Sequence, residues 1–574
     1  MMDSRLTRRH FLLATGAMAA TGLLVACEAD DDTADDQVSD DSDPGSDPDD
    51  DVVDDASDDV EVDDEDPADT DDADVDDDDD DDDDVAEGDV QTGGTLHIGQ
   101  DFGPQDLDPT ISSAWASTNI QELIYTALLR WDKDMEMEPD LATDWEIVDD
   151  QTYVFNLRDD VVFHNGKEFT SEDVVFTFER ILDPDVGSPR ISLFNAVESI
   201  EADGDYTVQF NLSSPSASLI RFLATIPHGA IVPSNASDEE LNSEAPGTGP
   251  FRFVEHVLDQ EVQLEAFEDY YEEGLPYLDE VRFRLLGDDT SIASALGSQS
   301  VQITWLKDPT VAENVADTTE GLVSVPGVSS RYFPIHFKLD EPPFDDVNVR
   351  RAMSLALDRE SILNSVLGGH GSVGTFLPPS QLAGYEGDGS DLPYYQQDID
   401  EARSLLAEAG YDQLDIPEYK VVAANQLDVQ CAQVMQGQWA EAGINVEINP
   451  MEVGAILDDW GSGNYSMASV APVWQPDPDQ EVRNFYSQSP FGTGIGINDS
   501  ELDELIEQAA AEVDEEARIE LYQQIQEHIL EQVYIIVPYA YPLRWELVWD
   551  FVHGYEVMAS NARMYVRETW LSEQ

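Results

Sequence analysis

The sequence predicts a large mixed α/β protein, and three observations lead to that prediction. The chain has 574 residues, so it can bury a large core divided between at least two lobes. From Gly93 onward, several short runs alternate apolar and polar residues, which is the spacing of β-strands. Between these runs, apolar residues recur every three or four positions, which is the spacing of helices.

The first 27 residues have the pattern of an export signal. Arg8 and Arg9 precede "HFLL" and resemble a twin-arginine signal, which implies that the protein folds before it crosses the membrane. The apolar stretch 11–26 is too short and too rich in small residues for a comfortable membrane span. It ends in "LVAC", which resembles a lipobox, so we expect a lipid on Cys27. The alternatives are a cleaved secretory peptide and an uncleaved anchor.

Residues 28–92 form an acidic stretch that we expect to be a disordered tether. Between Glu28 and Val90 there are 37 Asp and Glu and no Lys or Arg, and nine consecutive Asp occupy 76–84. Such a composition cannot bury enough apolar surface to fold. As a flexible chain the stretch would span on the order of 45 Å, which would hold a folded domain away from a membrane surface.

The rest of the chain is itself very acidic. Residues 91–574 contain 87 acidic and 23 basic side chains. This charge repels nucleic acid and would destabilise a compact state in dilute buffer. At molar salt the Debye length falls to about 3 Å, so we expect a salt-adapted protein of haloarchaeal type that unfolds when salt is removed. Specific cation binding is the alternative, but the Asp runs lack the turn-forming Gly of an EF-hand loop.

The spacing of apolar residues predicts the first strand and the first helix of the folded part. The segment 93–99 alternates as a strand. The segment 118–132 has helical apolar spacing at Ile120, Leu123, Ile124, Ala127 and Leu128.

The next segment predicts strands followed by a capped helix. Residues 152–169 predict strands, with alternation at Tyr153, Phe155 and Leu157, and Asn165-Gly166 is a pair typical of tight turns. Thr170 then begins a helix, with Asp173 in the position of a capping-box partner.

Seven stretches of the folded part form an ordered series that is characteristic of one family. They are "GGTL" from Gly93, "LDP" from Leu107, "PDLATDWE" from Pro139, "FNLRDDVVFHNGKEFTSEDVVFTFERI" from Phe155, "GTGPFRF" from Gly247, "PPFDDVNVRRAMSLALDRESI" from Pro342 and "ARSLLAEAGYD" from Ala402. Together they resemble the extracytoplasmic solute-binding proteins of dipeptide, oligopeptide and nickel ABC importers, solute-binding family 5. The resemblance runs from about residue 93 to the end of the sequence.

The resemblance implies a two-lobed periplasmic-binding-protein-like α/β fold whose lobes close on a ligand. Two crossover strands would join the lobes, at 329–337 and 537–545. The implied division of the chain is 1–27 for the signal, 28–92 for the tether, 93–328 plus 540–574 for lobe I with an inserted subdomain at 133–246, and 329–539 for lobe II.

No pattern in the sequence indicates an enzyme. No two of the nine His lie within ten residues of each other in the sequence. This spacing excludes metal sites formed by a His pair on one helix. There is no GxSxG nucleophile elbow, and "NGKE" around Lys167 lacks the Ser or Thr of a phosphate-binding loop. We therefore expect no catalytic residue, no metal and no cofactor.

The most suggestive ligand-binding stretch is "APVWQPDPDQEVRNFYS", residues 471–487. In relatives that bind peptides, the matching loop carries an Asp that pairs with the ligand's ammonium group. Here Trp474 takes the place of that Asp, followed by Gln475 and by Asp477. Either Asp477 replaces the missing carboxylate, or the ligand has no free amino terminus.

Other candidate ligand residues lie at the ends of predicted strands, where a cleft needs aromatic walls and a few polar groups. They are Trp305, Arg331, Tyr332, Asn425 and Gln426. For the aromatic residues the alternative is core packing, and for Arg331 it is a salt bridge within an acidic chain.

The sequence thus predicts a lipid-anchored substrate-binding protein of an ABC importer, which captures peptides or similar small solutes outside the cell. Its partners would be the solute, the membrane through the lipid anchor, and the permease subunits, with the protein itself a monomer. The alternatives are another cargo, such as a nickel chelate, an oligosaccharide or haem, or a surface sensor that works without a permease. Once Cys27 is lipidated, Cys431 has no disulfide partner in the chain, and we expect it to be a buried apolar filler.

Overall fold

A computed structural model describes residues 90–572 of the chain, apart from 113, 133–134, 288, 327–330, 380, 471–476, 543–544 and 558–563. The predicted signal, including Arg8, Arg9 and Cys27, and the tether up to residue 89 lie outside the described residues. Trp474 and Gln475 lie outside them as well.

The helices of the described residues alternate with strands along the whole chain. They are α1 Trp115–Ile124, α2 Ser171–Leu182, α3 Leu219–Leu223, α4 Asp238–Ser243, α5 Asp289–Gly297, α6 Pro309–Thr318, α7 Val347–Leu355, α8 Arg359–Leu367, α9 Ile399–Glu408, α10 Gln426–Glu441, α11 Val453–Ser462, α12 Pro478–Arg483, α13 Pro490–Ile495, α14 Ser500–Ala511 and α15 Glu515–Gln532.

The strands are mostly short. They are β1 Thr95–Gln100, β2 Leu129–Trp131, β3 Met137–Pro139, β4 Ala142–Asp149, β5 Thr152–Leu157, β6 Val197–Ala202, β7 Thr207–Leu212, β8 Phe251–Val257, β9 Glu261–Ala266, β10 Glu280–Leu285, β11 Ile303–Leu306, β12 Leu322–Pro326, β13 Arg331–Tyr332, β14 Ile335–Phe337, β15 Leu414–Val422, β16 Ile444–Met451, β17 Met467–Ala468, β18 Ile535–Ile536, β19 Ala540–Tyr541, β20 Trp545–Trp549, β21 Val552–His553, β22 Glu556–Val557, β23 Met564–Tyr565 and β24 Trp570–Leu571.

Part of the acid in this chain has a local structural use at the start of helices. An Asp side chain at the N-cap accepts hydrogen bonds from backbone N–H groups of the first turn, which otherwise have no partner in a helix. Such a cap begins α6, α7, α8, α9, α12, α14 and α15, through Asp308, Asp346, Asp358, Asp398, Asp477, Asp499 and Asp514.

Two mixed sheets form the centres of two lobes. The sheet of lobe I has seven strands in the order β12-β20-β11-β1-β10-β9-β8, with β1 parallel to β10 and β11. The sheet of lobe II has five strands in the order β16-β15-β17-β14-β18, with β15 parallel to β16 and β17. Both sheets are buried by apolar residues, for example Ile98 in lobe I and Val421 in lobe II.

The chain passes between the two sheets twice, and the two passages pair with each other. β12 of lobe I leads through β13 to β14 of lobe II, and β18 of lobe II leads through β19 to β20 of lobe I. β13 and β19 are antiparallel, with Arg331 opposite Tyr541 and Tyr332 opposite Ala540. We call this two-stranded element the hinge ribbon. Its strands lie within the predicted crossover segments.

A separate antiparallel sheet, β4-β5-β7-β6, follows the start of lobe I. Its own apolar core is formed by residues between Leu128 and Ile231. Phe155, Phe178 and Phe210 pack edge to face in it, with ring centroids 5.2 to 5.7 Å apart. This range overlaps the predicted inserted subdomain, and the domain boundaries themselves stay predictions.

Several local predictions are confirmed. β1 overlaps the predicted first strand from Thr95 onward, and α2 begins after Thr170, whose backbone N–H donates to Asp173 at 3.0 Å. Gly166 lies in the predicted turn with a φ of 82°, a conformation that suits glycine. Cys431 is fully buried as a free thiol.

The helix predicted over 118–132 is wrong in its second half. α1 ends at Ile124, whose carbonyl accepts a hydrogen bond from the backbone N–H of Gly249 at 2.8 Å. A Cβ at Gly249 would lie 2.8 Å from that carbonyl oxygen, so glycine is needed for the approach. The apolar spacing continues to Leu128 because these residues are buried on all sides, a pattern that a buried extended segment shares with a helix.

Candidate functional site

The hinge ribbon is the natural centre of a candidate site, because both connections between the lobes meet there. Neighbouring residues of a strand point to opposite faces, whereas residues paired across two strands share a face. Arg331 and Tyr541 therefore lie on one face of the ribbon, and Tyr332 lies on the other. The two faces contact different elements of lobe II.

Arg331 lies close to the first turn of α10. Its positive charge acts on the ionisation of Asp428 in that turn and of Tyr541 beside it. Within the described part of the chain, the Arg331 guanidinium has no ion pair and no hydrogen bond, and its Nε is buried without a partner. The side chain is nevertheless partly exposed, so its charge is open to the solvent.

Asp428 is a buried carboxyl group on the same face. It is 5% exposed. Burial raises its pKa to about 7, although the charge of Arg331 and a hydrogen bond with Asn425 act to lower it. Below neutral pH this carboxyl is therefore largely neutral.

Two further candidate residues, Asn425 and Gln426, lie at the start of α10. Asn425 is the N-cap residue, and its side chain is hydrogen-bonded with Asp428, the acid on which the charge of Arg331 acts. The exposed Gln426 donates from its side chain to the carbonyl of Ala423 at 3.1 Å. It therefore serves the local turn in this conformation.

Tyr332 faces α12 on the other side of the ribbon. Its hydroxyl donates to Glu481 Oε2 at 2.9 Å, and both side chains are buried. Burial raises the pKa of Glu481 to about 7, although the bond from Tyr332 acts to lower it. A second acid beside the ribbon is thus held in an environment that disfavours its charge.

Asp477, at the N-cap of α12, is fully buried and already has cationic partners. Its Oδ1 accepts from Arg518 at 2.6 Å, and its Oδ2 lies 3.4 Å from Arg221 Nε. Although burial acts to raise the pKa of Asp477, these two charges lower it below its ordinary value. The structure thus places Asp477 in an internal ion-pair network, and its role towards a ligand stays a prediction.

That network joins the two lobes. Arg221 belongs to α3, which follows the four-stranded sheet, whereas Asp477 and Arg518 lie between β17 and β18 of lobe II. Arg221 also donates to Glu515 at 2.8 Å, and the backbone N–H of Ala217 donates to the carbonyl of Ala510 at 3.2 Å. We call these contacts between 217–221 and lobe II the lobe latch. They show the lobes in direct contact away from the ribbon.

Trp305 lies in the sheet of lobe I and away from the partners of Arg331 and Tyr332 named above. It is 3% exposed in β11 and pairs in register with Glu546 of β20. The structure therefore gives it the environment of a core residue. Trp474 and Gln475 lie outside the described residues, and the other six assignments, Trp305 included, likewise stay predictions.

Sequence reasoning missed Asp428, Glu481 and the latch arginines. Asp428 had a detectable signal, because it shares the buried helical face of Cys431, Ala432, Met435 and Trp439. Glu481 lies in a helix too short for such a periodicity. The latch depends on residues far apart in the chain, which a single sequence does not pair.

A small cavity lies elsewhere in the molecule, between α1, β2 and the C-terminal segment. Its lining includes Arg130, Asp140 and Arg567 and none of the predicted ligand residues that the structure describes. Burial raises the pKa of Asp140 to about 6, although Arg130 acts to lower it. The charged residues of this cavity lie in one part of the molecule and not between the two lobes.

Over the described ranges, no group of three or more His, Cys, Asp and Glu is arranged to hold a metal ion. Each helix in the same ranges is too short or too polar to cross a bilayer.

Known proteins resemble this chain over most of its length. The family profile "Bacterial extracellular solute-binding proteins, family 5 Middle" matches residues 136–493. The oligopeptide-binding protein AppA of Bacillus subtilis is 27% identical over 505 residues, covering 84% of this chain and 92% of that protein. The haem-binding protein A of Haemophilus influenzae is 28% identical over 471 residues, covering 74% of this chain and 83% of that protein.

A solved structure shows the same architecture. The crystal structure of the ABC transporter substrate-binding protein CtaP of Listeria monocytogenes aligns with a TM-score of 0.73 at 26% identity. The alignment covers 84% of this chain and 100% of CtaP. The predicted two-lobed α/β fold is therefore confirmed, and the chain belongs to the bacterial extracellular solute-binding proteins of family 5.

Proposed function

We propose that this protein is the lipid-anchored substrate-binding subunit of an ABC importer. It captures a peptide or similar small solute outside the cell and delivers it to a membrane permease. The observation that carries the proposal is the hinge ribbon, through which a family member's two lobes are joined by paired strands. Such a connection lets two rigid bodies move about one short element.

Function in this proposal is a conformational equilibrium and involves no bond chemistry. A solute that contacts both lobes binds the closed state more tightly than the open state, so it shifts the population towards closure. In this proposal the lobe latch belongs to the closed state and would supply contacts that do not depend on the solute. The permease would then recognise the closed form.

The proposed ligand site lies around the hinge ribbon. It includes Arg331, Tyr332 and Asn425, together with Trp474, Gln475 and Asp477. Gln426 at the exposed start of α10 and Trp305 in lobe I complete the proposed set. The ribbon joins the two lobes, so a solute held beside it would contact both lobes when they close.

We propose peptides as the cargo. A relative that this chain matches over 92% of that relative's length is named an oligopeptide-binding protein. Haem, a nickel chelate or an oligosaccharide is the alternative, and another relative is named a haem-binding protein. A sensor that works without a permease would share the fold and the cargo but would be encoded apart from transporter subunits.

We also propose that the protein is exported through the twin-arginine route and held at the outer face of the membrane. Arg8 and Arg9 would direct export, Cys27 would carry the lipid, and the acidic stretch 28–92 would act as the tether. Mass spectrometry of the mature N-terminal peptide tests this part directly. A lipidated Cys27 at the new N-terminus is expected, and a mature chain that retains residues 1–26 would contradict it.

The experiment that tests solute binding is mass spectrometry of small molecules released from protein purified in molar KCl. We expect a solute in near-stoichiometric amount, and we expect it to raise the melting temperature saturably when it is added back. Recovery of a chemically altered solute after incubation would contradict a pure binding function. A protein that releases no solute and is stabilised by no fraction of a peptide extract would contradict the proposal itself.

A further inference from the structure

Arginine and lysine side chains are scarce in this protein, and the structure shows how nearly all of them are used. Apart from Arg331, every Lys or Arg that the structure describes lies within 4 Å of a carboxylate oxygen or donates to a backbone carbonyl. In a chain with 125 acidic residues this is the expected outcome, since a carboxylate is always near. An arginine without such a partner therefore needs an explanation.

Arg331 is that exception, and its position makes the exception unusual. It begins β13 in the hinge ribbon, opposite Tyr541, where the two lobes are joined. Its Nε is buried without an acceptor, although buried charged donors are normally satisfied. No acceptor among the described residues faces this Nε, and the side chain is partly open to the solvent, so an acceptor on another molecule can reach the guanidinium.

The nearest acid does not compensate the charge of Arg331. Asp428 is close enough to feel the charge, but the two groups form no ion pair in the described structure. Because burial raises the pKa of Asp428 to about 7, its carboxyl is largely neutral below neutral pH. A neutral carboxyl neither pairs with the guanidinium nor repels an anion that approaches it.

From this geometry we infer that Arg331 is an anion receptor of the ligand site, and that the solute presents a carboxylate group to its guanidinium at the hinge ribbon. This inference rests on the proposed solute-binding function and adds the chemical class of the bound group. A guanidinium presents parallel N–H donors that match the two oxygens of a carboxylate, and such paired bonds are stronger than neutral hydrogen bonds. Placed at the ribbon, the contact would couple capture of the carboxylate to the element about which the lobes move.

The test compares matched ligands on matched variants. The probes are peptides of two to five residues, each prepared as the free acid and as the C-terminal amide, and binding is measured by calorimetry in molar KCl. The proteins are the full mature chain and its variants Arg331→Met, Arg331→Lys and Arg252→Met. Arg252 is the control, because it is an exposed arginine of β8 that pairs with Glu265 at 2.6 Å, away from the ribbon.

For the unaltered protein and for Arg252→Met, we expect the free acid to bind at least about tenfold more tightly than the amide. For Arg331→Met the two forms should bind equally, and for Arg331→Lys the ratio should be intermediate, since lysine keeps the charge without the paired donors. An acid-to-amide ratio that is unchanged in Arg331→Met would overturn the inference. Equal binding of acid and amide by the unaltered protein would overturn it as well.

The melting temperature of the solute-free protein separates recognition from a structural role. If Arg331 only served as the counterion of Asp428, its replacement by Met would lower the melting temperature. We expect Arg331→Met to melt at the same temperature or higher, because the variant removes an unsatisfied buried donor. A marked fall would overturn the inference.

The last outcomes distinguish this inference from the proposed function. If the free acids do not bind, the solute released from the purified protein is tested before and after methyl esterification of its carboxyl groups. If the esterified solute still binds, the carboxylate inference is wrong, whereas the solute-binding function is still supported. If no ligand binds saturably, including the released material, both the inference and the proposed function are wrong.

Discussion

At the scale of single residues, the hinge ribbon is bordered by two acids whose charge the protein disfavours. Asp428 lies on the face of Arg331, and Glu481 accepts the hydroxyl bond of Tyr332 on the other face. Burial raises the pKa of each to about 7, although the neighbouring groups act in the opposite direction. Both acids are therefore protonated in the folded state at pH values at which an unfolded chain would have lost the proton.

This difference makes stability depend on pH in a definite direction. A carboxyl group whose pKa is raised by folding contributes stability below its unfolded value, and that contribution is lost as the pH rises to the folded value. For Asp428 the interval runs from an ordinary pKa of 3.8 to about 7.

We predict that Asp428→Asn becomes progressively more stable relative to the unaltered protein between about pH 4 and pH 7, and that the difference is constant above that interval. The amide has the shape of the carboxyl group but cannot ionise, so it does not pay the cost of a buried charge. The measurement is the melting temperature across this range in molar KCl, with Glu447→Gln on the exposed edge of β16 as control. A difference that stays constant with pH would show that the proton on Asp428 does not matter to folding. Arg331, Tyr541 and Cys431 also interact with this acid. The variant and the unaltered protein should therefore be compared under reducing conditions and at the same salt concentration.

Residue roles were only partly predictable from the sequence. The choice of Arg331 and Tyr332 followed from their place in a predicted crossover strand, and the structure puts both in the hinge ribbon. Asp477 was selected as a replacement for a missing ligand carboxylate, but its partners Arg221 and Arg518 are 256 and 41 positions away in the chain. A charge network of this kind becomes visible only when the tertiary structure brings its members together.

At the scale of elements, the lobe latch is the feature with the clearest mechanical consequence. The segment 217–221 contacts lobe II through the Arg221 ion pairs and through the backbone bond from Ala217 to Ala510. Arg221 is further held over the ring of Trp131, at 5.4 Å from its centroid. Opening of the lobes has to break the ion pairs and the backbone bond together, whereas the contact with Trp131 lies on one side of the latch.

We predict that Arg221→Gln increases opening of the lobes. Glutamine cannot form the ion pairs with Asp477 and Glu515, so the backbone bond between Ala217 and Ala510 should break more often. Hydrogen exchange measured by mass spectrometry should show faster exchange in peptides covering 216–224 and 508–518. Arg403→Gln, which removes an exposed pair with Asp400 on α9, is the matched control. Unchanged exchange in both peptides would mean that the latch does not hold the lobes.

Elements with a local signal were predicted well, and those decided by tertiary contacts were not. α2 carries its own start signal in Thr170 and Asp173, and β1 carries a clear alternation. The segment after Ile124 has helical spacing, but its backbone bonds to Gly249 and Ile231 instead of continuing the helix. Local periodicity could not reveal those distant partners.

At the scale of the whole molecule, net charge is the dominant property. The formal charge of the chain is −99 at pH 7, and most of it lies in the part that folds. At physiological ionic strength the Debye length is about 8 Å, so carboxylates several residues apart on the surface still repel one another. Asp N-caps use some of this charge locally, but they do not remove the repulsion.

We predict that the protein loses its far-ultraviolet circular dichroism signal of folded structure when it is transferred from molar KCl to dilute buffer. Screening of the surface carboxylates is the reason, so tetramethylammonium chloride at equal ionic strength should preserve the fold as well as KCl does. Preservation by KCl alone would indicate specific cation binding. A spectrum and melting temperature that do not depend on salt would contradict the prediction.

The family and its two-lobed fold could be predicted because seven motifs in a fixed order identify the architecture as a whole. The pairing of the two crossovers, Arg331 opposite Tyr541, could not be predicted, since register between strands 210 positions apart is set by the packed lobes. The cargo could not be predicted either, because it depends on a few side chains at the ribbon and not on the fold.

The central claim is that two lobes close reversibly around a solute, and small-angle X-ray scattering in molar KCl tests it most directly. The radius of gyration is compared for the protein stripped of solute and for the same protein saturated with the solute recovered from it. We predict a smaller radius of gyration with the solute bound, restored to the larger value when the solute is removed. Scattering curves that superimpose while calorimetry shows saturable binding would contradict the account.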